Sequence, residues 1–203
     1  MKIICIGRNY AAHAKELNNP VPKEPVIFLK PDTALLAKKM PFFYPDFSQD
    51  IHYEAEVVVR INRVGKNIAE KFAHKYYSEI SLGVDFTARD LQAKYKEKGL
   101  PWERAKAFDG SAPVGKFIDI SKLQDINNLD FSLNINNTLK QKGNTVSMLF
   151  SIDAIIAYVS KFFTLKIGDL IFTGTPEGVG PVKIGDLMEG YIMDEKVFNL
   201  KIK

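Results

Sequence analysis

Apolar residues along this chain fall mainly into short runs closed by glycine or proline, with few stretches at helical spacing. Ile3-Ile4-Cys5-Ile6 ends at Gly7, and Val26-Ile27-Phe28-Leu29 ends at Lys30-Pro31. The segment from Ile51 to Val59 is strongly β-forming, with valine at three successive positions. Residues 79–86, 129–135, 138–141, 169–173 and 197–202 read as further strands. Helical spacing predicts helices over 67–77, with Asn67 as N-cap, over 88–97, and over 152–162. Residues 10–17 have helical composition but span only about two turns before Asn18-Asn19-Pro20 stops them. A segment so short, with few apolar anchors, suits a mobile lid over residues 10–19. Strands dominate and do not alternate regularly with helices, so an α+β roll or sandwich is expected in place of a parallel βαβ fold. With no internal repeat, low-complexity stretch or linker, residues 1–203 read as one domain.

Composition narrows the function classes. Hydrophobic residues make up 46% of 203, enough for a substantial core. The net charge is +4 and the pI about 9.0. The lysines are scattered, without the like-charge block or basic–aromatic ribbon of a nucleic-acid surface. Cys5 is the only cysteine, which rules out an internal disulfide or a cysteine metal cluster. No apolar stretch approaches the ~18–20 residues that span a membrane, and the N-terminal apolar run is too short for a secretory signal. A soluble, cytoplasmic chain with no membrane or nucleic-acid partner is the expectation.

The chemistry begins at Glu54 and Glu56 in Tyr53-Glu54-Ala55-Glu56-Val57. In a strand such a pair shares one face, roughly 6.6 Å apart. Two neighbouring carboxylates repel, the more so when buried, and a bridging cation relieves both problems. Asp85 stands at the end of another apolar run and supplies a third carboxylate. Thr87 and Asp90, three apart, fit a capping box opening the helix that follows. Three carboxylates without cysteine or histidine at ligand spacing favour Mg2+, or Mn2+, over Zn2+. The competing reading is an exposed polar edge. Gly174-Thr175-Pro176-Glu177-Gly178-Val179-Gly180-Pro181 lacks the Lys-Ser/Thr of a P-loop. It reads either as a plain turn or as a loop that approaches a ligand closely, with the Thr175 hydroxyl on offer.

Taken in order, these pieces resemble the fumarylacetoacetate hydrolase family, and its acylpyruvase and oxaloacetate decarboxylase members in particular. The resemblance rests on Ile6-Gly7-Arg8-Asn9-Tyr10 with His13 and Glu16, Phe28-Leu29-Lys30-Pro31, Glu54-Ala55-Glu56, and Asp85 to Gln92. Gly99-Leu100-Pro101-Trp102 before Lys106, Gly143-Asn144-Thr145, Met148-Leu149-Phe150, and Thr173 to Pro181 complete it. Tyr53 stands where relatives often carry a second histidine, and Lys140-Gln141 replaces a common Arg-Gln.

The resemblance implies the mixed β-sandwich roll of the family's C-terminal domain, and a homodimer. It implies Glu54, Glu56 and Asp85 as Mg2+ ligands, with Lys106 beside a developing pyruvate enolate. It implies a Glu16-oriented His13 as the base that activates water, and Arg8, Lys30, Gln92 and Thr175 about the substrate, a small 2-oxo acid. The expected activity is C–C hydrolysis of acylpyruvates, with oxaloacetate decarboxylation through the same enolate. A 2-hydroxy-diene-dioate isomerase is the alternative within the family. Outside it stand a non-catalytic metal-binding module and a nucleic-acid binder, the latter suggested by the pI alone.

Overall fold

Val57, Val58 and Val59 are all fully buried, which happens only when both faces of a strand are covered. Val57 and Val59 pack with Ile152, Ile155, Ile156 and Val159, whereas Val58 points the other way, to Ile3, Cys5 and Phe172. The strand they belong to is therefore central. The computed structural model of the protein describes residues 1–16 and 20–203, and the elements follow from that placement.

Six strands form the main sheet: β1 (Ile3–Gly7), β2 (Val26–Lys30), β4 (Ala55–Ile61), β5 (Tyr77–Val84), β7 (Ile118–Asp119) and β10 (Leu170–Phe172), ordered β2-β1-β10-β4-β5-β7. A three-stranded sheet joins β3 (Ile51–Tyr53), β6 (Thr87–Ala88) and β11 (Gly180–Pro181). A four-stranded sheet joins β8 (Asp130–Ile135), β9 (Thr138–Asn144), β12 (Leu187–Ile192) and β13 (Glu195–Lys201). Strands β1 and β10 pair in parallel, and the other pairings of named strands are antiparallel. The helices are α1 (Ala11–Glu16), α2 (Arg89–Glu97), α3 (Glu103–Lys106) and α4 (Ile152–Val159). Among the described residues, no helix is long and apolar enough to cross a membrane. The expected strand-dominated α+β architecture with mixed sheets is the one observed. Of the expected lid, residues 17–19 lie outside the described residues.

Several local expectations need correction. The run from Ile51 to Val59 is two strands in two different sheets, broken at Glu54. The helix expected over 67–77 is a 3-10 segment, Glu70–Tyr76, with Asn67 in the left-handed region at φ 51. That segment buries mainly Ala73, too little to hold an α-helix against the pull of β5. The Thr87–Asp90 capping box does not form. Ala88 is the N-cap of α2, Thr87 Oγ1 donates to Glu54 Oε1 at 3.2 Å, and Asp90 Oδ1 accepts from Ser48 Oγ at 2.7 Å. The helix at 152 is capped by Ser151 but ends at Val159. Strand β12 lies outside the strands expected from the sequence, and Gly190 stands in its middle. In the fold a Cβ at Gly190 would lie 2.2 Å from the Phe198 ring, so the glycine serves close packing.

Candidate active site

The break between β3 and β4 places Glu54 at the joint of two sheets, and Glu56 two residues on inside the larger one. Strand β5 pairs with β4 in the register Ala55↔Val84 and Glu56↔Gly83. Asp85, the residue after β5, therefore arrives level with Glu54, and its amide donates to the Glu54 carbonyl at 2.8 Å. Ligand atoms of Glu54, Glu56 and Asp85 lie within 4.8 Å of one another, and all three side chains are buried. The three carboxylates that sequence reasoning selected are brought together.

Three cations face them. Lys106 Nζ, on α3, donates to Asp85 Oδ2 at 2.7 Å and Glu54 Oε2 at 2.8 Å. Arg89 Nη2 donates to Glu54 Oε1 at 2.6 Å, and its Nη1 to Gln92 Oε1 at 2.5 Å. Lys30 Nζ lies 2.8 Å from Asp85 Oδ1. Burial pushes the Glu54 carboxyl upward, but Lys106 and Arg89 more than offset it and hold the group below the usual carboxylate range. Burial and the like charges of Asp85 and Glu54 push Glu56 well above that range, which the Gly174 amide, 2.7 Å from Glu56 Oε2, only partly relieves. Burial lowers Lys106, yet Asp85 and Glu54 raise it further, so it is an ammonium. Asp85 Oδ1 is buried with no aligned hydrogen-bond donor, although Lys30 is close. Three buried carboxylates with ligand atoms this close together form a hard oxygen donor set that fits a divalent ion of the Mg2+ or Mn2+ type.

A cavity opens in front of the carboxylates. Arg8, His13, Phe28, Gln92, Trp102, Lys106 and Thr175 line it. His13 is 5% exposed on α1, and its Nδ1 lies 3.0 Å from Glu16 Oε2. The other oxygen of Glu16 accepts from Gly178 N at 3.0 Å, which fastens α1 to the glycine-rich loop. Arg8 enters the cavity wall from a left-handed backbone at φ 60, a costly conformation for an arginine. Asn9 holds it there: fully buried, it donates to Thr173 O at 2.7 Å and accepts from Phe150 N at 2.8 Å. Gly174 is required beside it, because a Cβ at that position would come within 2.7 Å of Asn9 Cβ.

Of the expected substrate-binding residues, Arg8, Gln92 and Thr175 line the cavity and Lys30 does not. The Lys30 side chain is fully buried behind Asp85, where its ammonium meets Ser111 O at 3.1 Å, Ser111 Oγ at 2.9 Å and the Lys106 carbonyl. Its protons are used inside the protein, so it is a counter-charge to Asp85 with no reach to a ligand. Two contributors were given no role from sequence. Asn9 sits beside the more conspicuous Arg8. Gln141 lies between Lys140 and Lys142, yet it is 1% exposed and its Oε1 accepts from Ala55 N, between Glu54 and Glu56, at 2.9 Å. Its pairing with buried Leu133 is a signal that appears only once the hairpin register is known.

The family model for the fumarylacetoacetate hydrolase C-terminal domain matches residues 2–201. A mitochondrial oxaloacetate tautomerase of Bos taurus is 44% identical over 201 residues, 99% of this chain and 90% of the relative. A mitochondrial oxaloacetate decarboxylase of Dictyostelium discoideum is 45% identical over 189 residues, 93% of this chain and 87% of the relative. Among solved structures, the fumarylpyruvate hydrolase of Pseudomonas aeruginosa in complex with Mn2+ and pyruvate superimposes with a TM-score of 0.93. It is 36% identical, over 100% of this chain and 89% of that one. The carboxylate cluster, the cavity and these likenesses along nearly the whole chain agree: the protein belongs to the fumarylacetoacetate hydrolase family.

Proposed function

We propose that the protein is a metal-dependent enzyme of oxaloacetate, interconverting its enol and keto forms by moving a proton to and from C3. The carrying observation is the charge balance of the cavity. The three charges of Glu54, Glu56 and Asp85, when ionised, are equalled in number by Lys30, Lys106 and Arg89, each within 2.8 Å of an oxygen of Glu54 or Asp85. A divalent ion then leaves two positive charges in excess, and Arg8 on the wall adds another. That field suits a dianionic 2-oxo acid better than a singly charged acylpyruvate. The relatives named as oxaloacetate enzymes support the same choice.

Mg2+ or Mn2+ held by Glu54, Glu56 and Asp85 would supply an electrophile for the C2 oxygen. The chain does the rest. Glu16 can only accept, so His13 Nδ1 carries the hydrogen of their 3.0 Å contact and Nε2 is left as the base for C3. The Lys106 ammonium, fixed by Glu54 and Asp85, stabilises negative charge that develops on the substrate. Arg8, Gln92 and Thr175 hold the carboxylates, and Glu16, bound to Gly178, closes α1 over the reaction. The test follows the decay of enol absorbance of oxaloacetate with Mg2+ and with EDTA. Acceleration that EDTA abolishes supports the reading, and no acceleration by ion-loaded protein overturns it.

A second reading, acylpyruvate hydrolysis, is favoured by the likeness to the fumarylpyruvate hydrolase and by the His13–Glu16 pair, which could deprotonate water as readily as carbon. Pyruvate release from acetylpyruvate separates it from the first. A homodimer is part of the proposal by analogy with the family, and light scattering tests it.

A further inference from the structure

Gln141 has no role in the chemistry above, yet its amide is tied on both sides. Oε1 accepts from Ala55 N at 2.9 Å, while Nε2 donates to Thr175 Oγ1 at 2.9 Å and to Pro176 O at 3.0 Å. The amide can face only one way. A backbone N–H must meet the oxygen, and a carbonyl must meet the nitrogen. Thr175 Oγ1 therefore accepts from Gln141, and its own hydrogen has no acceptor among the described residues. Thr175 is 3% exposed and lines the cavity, so a ligand in the cavity could supply the missing acceptor.

We propose that Gln141 is a positioning residue that sets the polarity of the Thr175 hydroxyl, so that Thr175 meets the substrate as a donor. A carboxylate only accepts, so a hydroxyl helps to bind it only when its hydrogen faces the ligand. A free threonine rotor could as well turn its hydrogen to a protein carbonyl. Gln141 takes up a lone pair of Oγ1 and biases that choice before the substrate arrives. The same side chain clamps the backbone between Glu54 and Glu56, which couples the loop carrying Thr175 to the carboxylate pair.

The inference rests on the 2-oxo acid reading of the site, and a double-mutant cycle tests it separately. Thr175→Val should raise KM for oxaloacetate about tenfold or more with little change in kcat. Gln141→Met should raise KM by a similar factor, and the double variant should be no worse than the worse single. Pyruvate affinity of the Mn2+-loaded variants, measured by calorimetry, should show the same pattern without turnover. Losses that multiply in the double variant would make Gln141 a packing residue and overturn the inference. If Gln141→Met fails to fold, Gln141→Glu carries the test, because it keeps the shape and the acceptor for Ala55. Its ionised carboxylate would draw the Thr175 hydrogen to itself, so KM should rise in the wild-type background and stay flat in Thr175→Val. An equal rise in both backgrounds overturns the inference. Wild-type silence with oxaloacetate and acetylpyruvate, together with no pyruvate binding, would bring down the reading of the site and this inference with it.

Discussion

Lys106 and Asp85 meet at 2.7 Å, ammonium to carboxylate, with both side chains more than nine-tenths buried. The same ammonium reaches Glu54 at 2.8 Å, so one side chain neutralises parts of two candidate ion ligands. Breaking a buried pair by removing one partner typically costs about 3–5 kcal/mol. Lys106→Met should therefore lower Tm markedly and lower kcat about 10²–10³-fold, the scale of losing a preorganised electrostatic donor. Excess Mn2+ should restore part of the Tm, because it resupplies positive charge, but not kcat. Full recovery of kcat by the ion would reduce Lys106 to a counter-charge.

Glu56 should make the affinity for a divalent ion depend on pH. Its carboxyl is raised by burial and by Asp85 and Glu54, so without an ion it favours the neutral form. For a group raised in the folded state, the stability contribution is complete below the ordinary value and is lost as pH rises through the raised one. A cation must displace that proton, so the gain in Tm on adding Mn2+ should increase as pH rises above the ordinary carboxylate range. Glu56→Gln should flatten that dependence and weaken binding. Equal Mn2+ gains at every pH in the wild type would rule out proton displacement.

His13 separates the candidate reactions. Tautomerisation and hydrolysis both need a base, whereas loss of carbon dioxide from oxaloacetate needs only charge stabilisation. His13→Asn should cost about 10²–10⁴ in the first two, the usual worth of a positioned base, and leave decarboxylation within about tenfold of wild type. Glu16→Gln should act in the same direction more mildly, since it keeps a partner for Gly178 N. Equal losses in all three reactions would refute this division.

Arg8 and Lys30 should fail in opposite ways. Arg8 lines the cavity, so Arg8→Ala should raise KM about 10–100-fold while Tm barely moves. Lys30 is sealed behind Asp85, and Lys30→Met should lower Tm and soluble yield first. A stable Lys30→Met protein with only a raised KM would return Lys30 to the substrate.

Asp169 gives a pH dependence of stability remote from the site. It is 1% exposed and accepts from Lys2 N and Lys166 N, each at 2.8 Å, pinning the start of β1 beside β10. Burial raises its carboxyl, but the bonds from Lys2 and Lys166 outweigh that and hold it below its ordinary value. The stability of a depressed carboxylate is present above the ordinary value and fades as pH falls through the lowered one. Asp169→Asn should therefore lower Tm at neutral pH, and its deficit should shrink below about pH 4, as thermal melts across pH would show. A constant deficit would assign the loss to packing alone.

Short apolar runs revealed most strands, because a residue such as Val58 must be apolar wherever both faces of its strand are covered. The carboxylate trio was legible because buried like charges demand a cation whatever the fold. What stayed hidden was set by distant partners. Lys30 finds its acceptors 56, 76 and 81 residues away, and no local pattern distinguishes it from a surface lysine. Gln141 meets Ala55 across 86 residues. The break at Glu54 leaves no mark in an unbroken β-forming run, since only the presence of two sheets requires it.

The charge balance around Glu54, Glu56 and Asp85 also bears on the order of events in the life of the chain. Proteins whose ligands repel until an ion arrives must wait for that ion before they can fold. Here Lys30, Lys106 and Arg89 already answer the carboxylates, and Glu56 can keep its proton. The chain should therefore fold without an ion, and a divalent ion bound afterwards should add stability to a fold already formed.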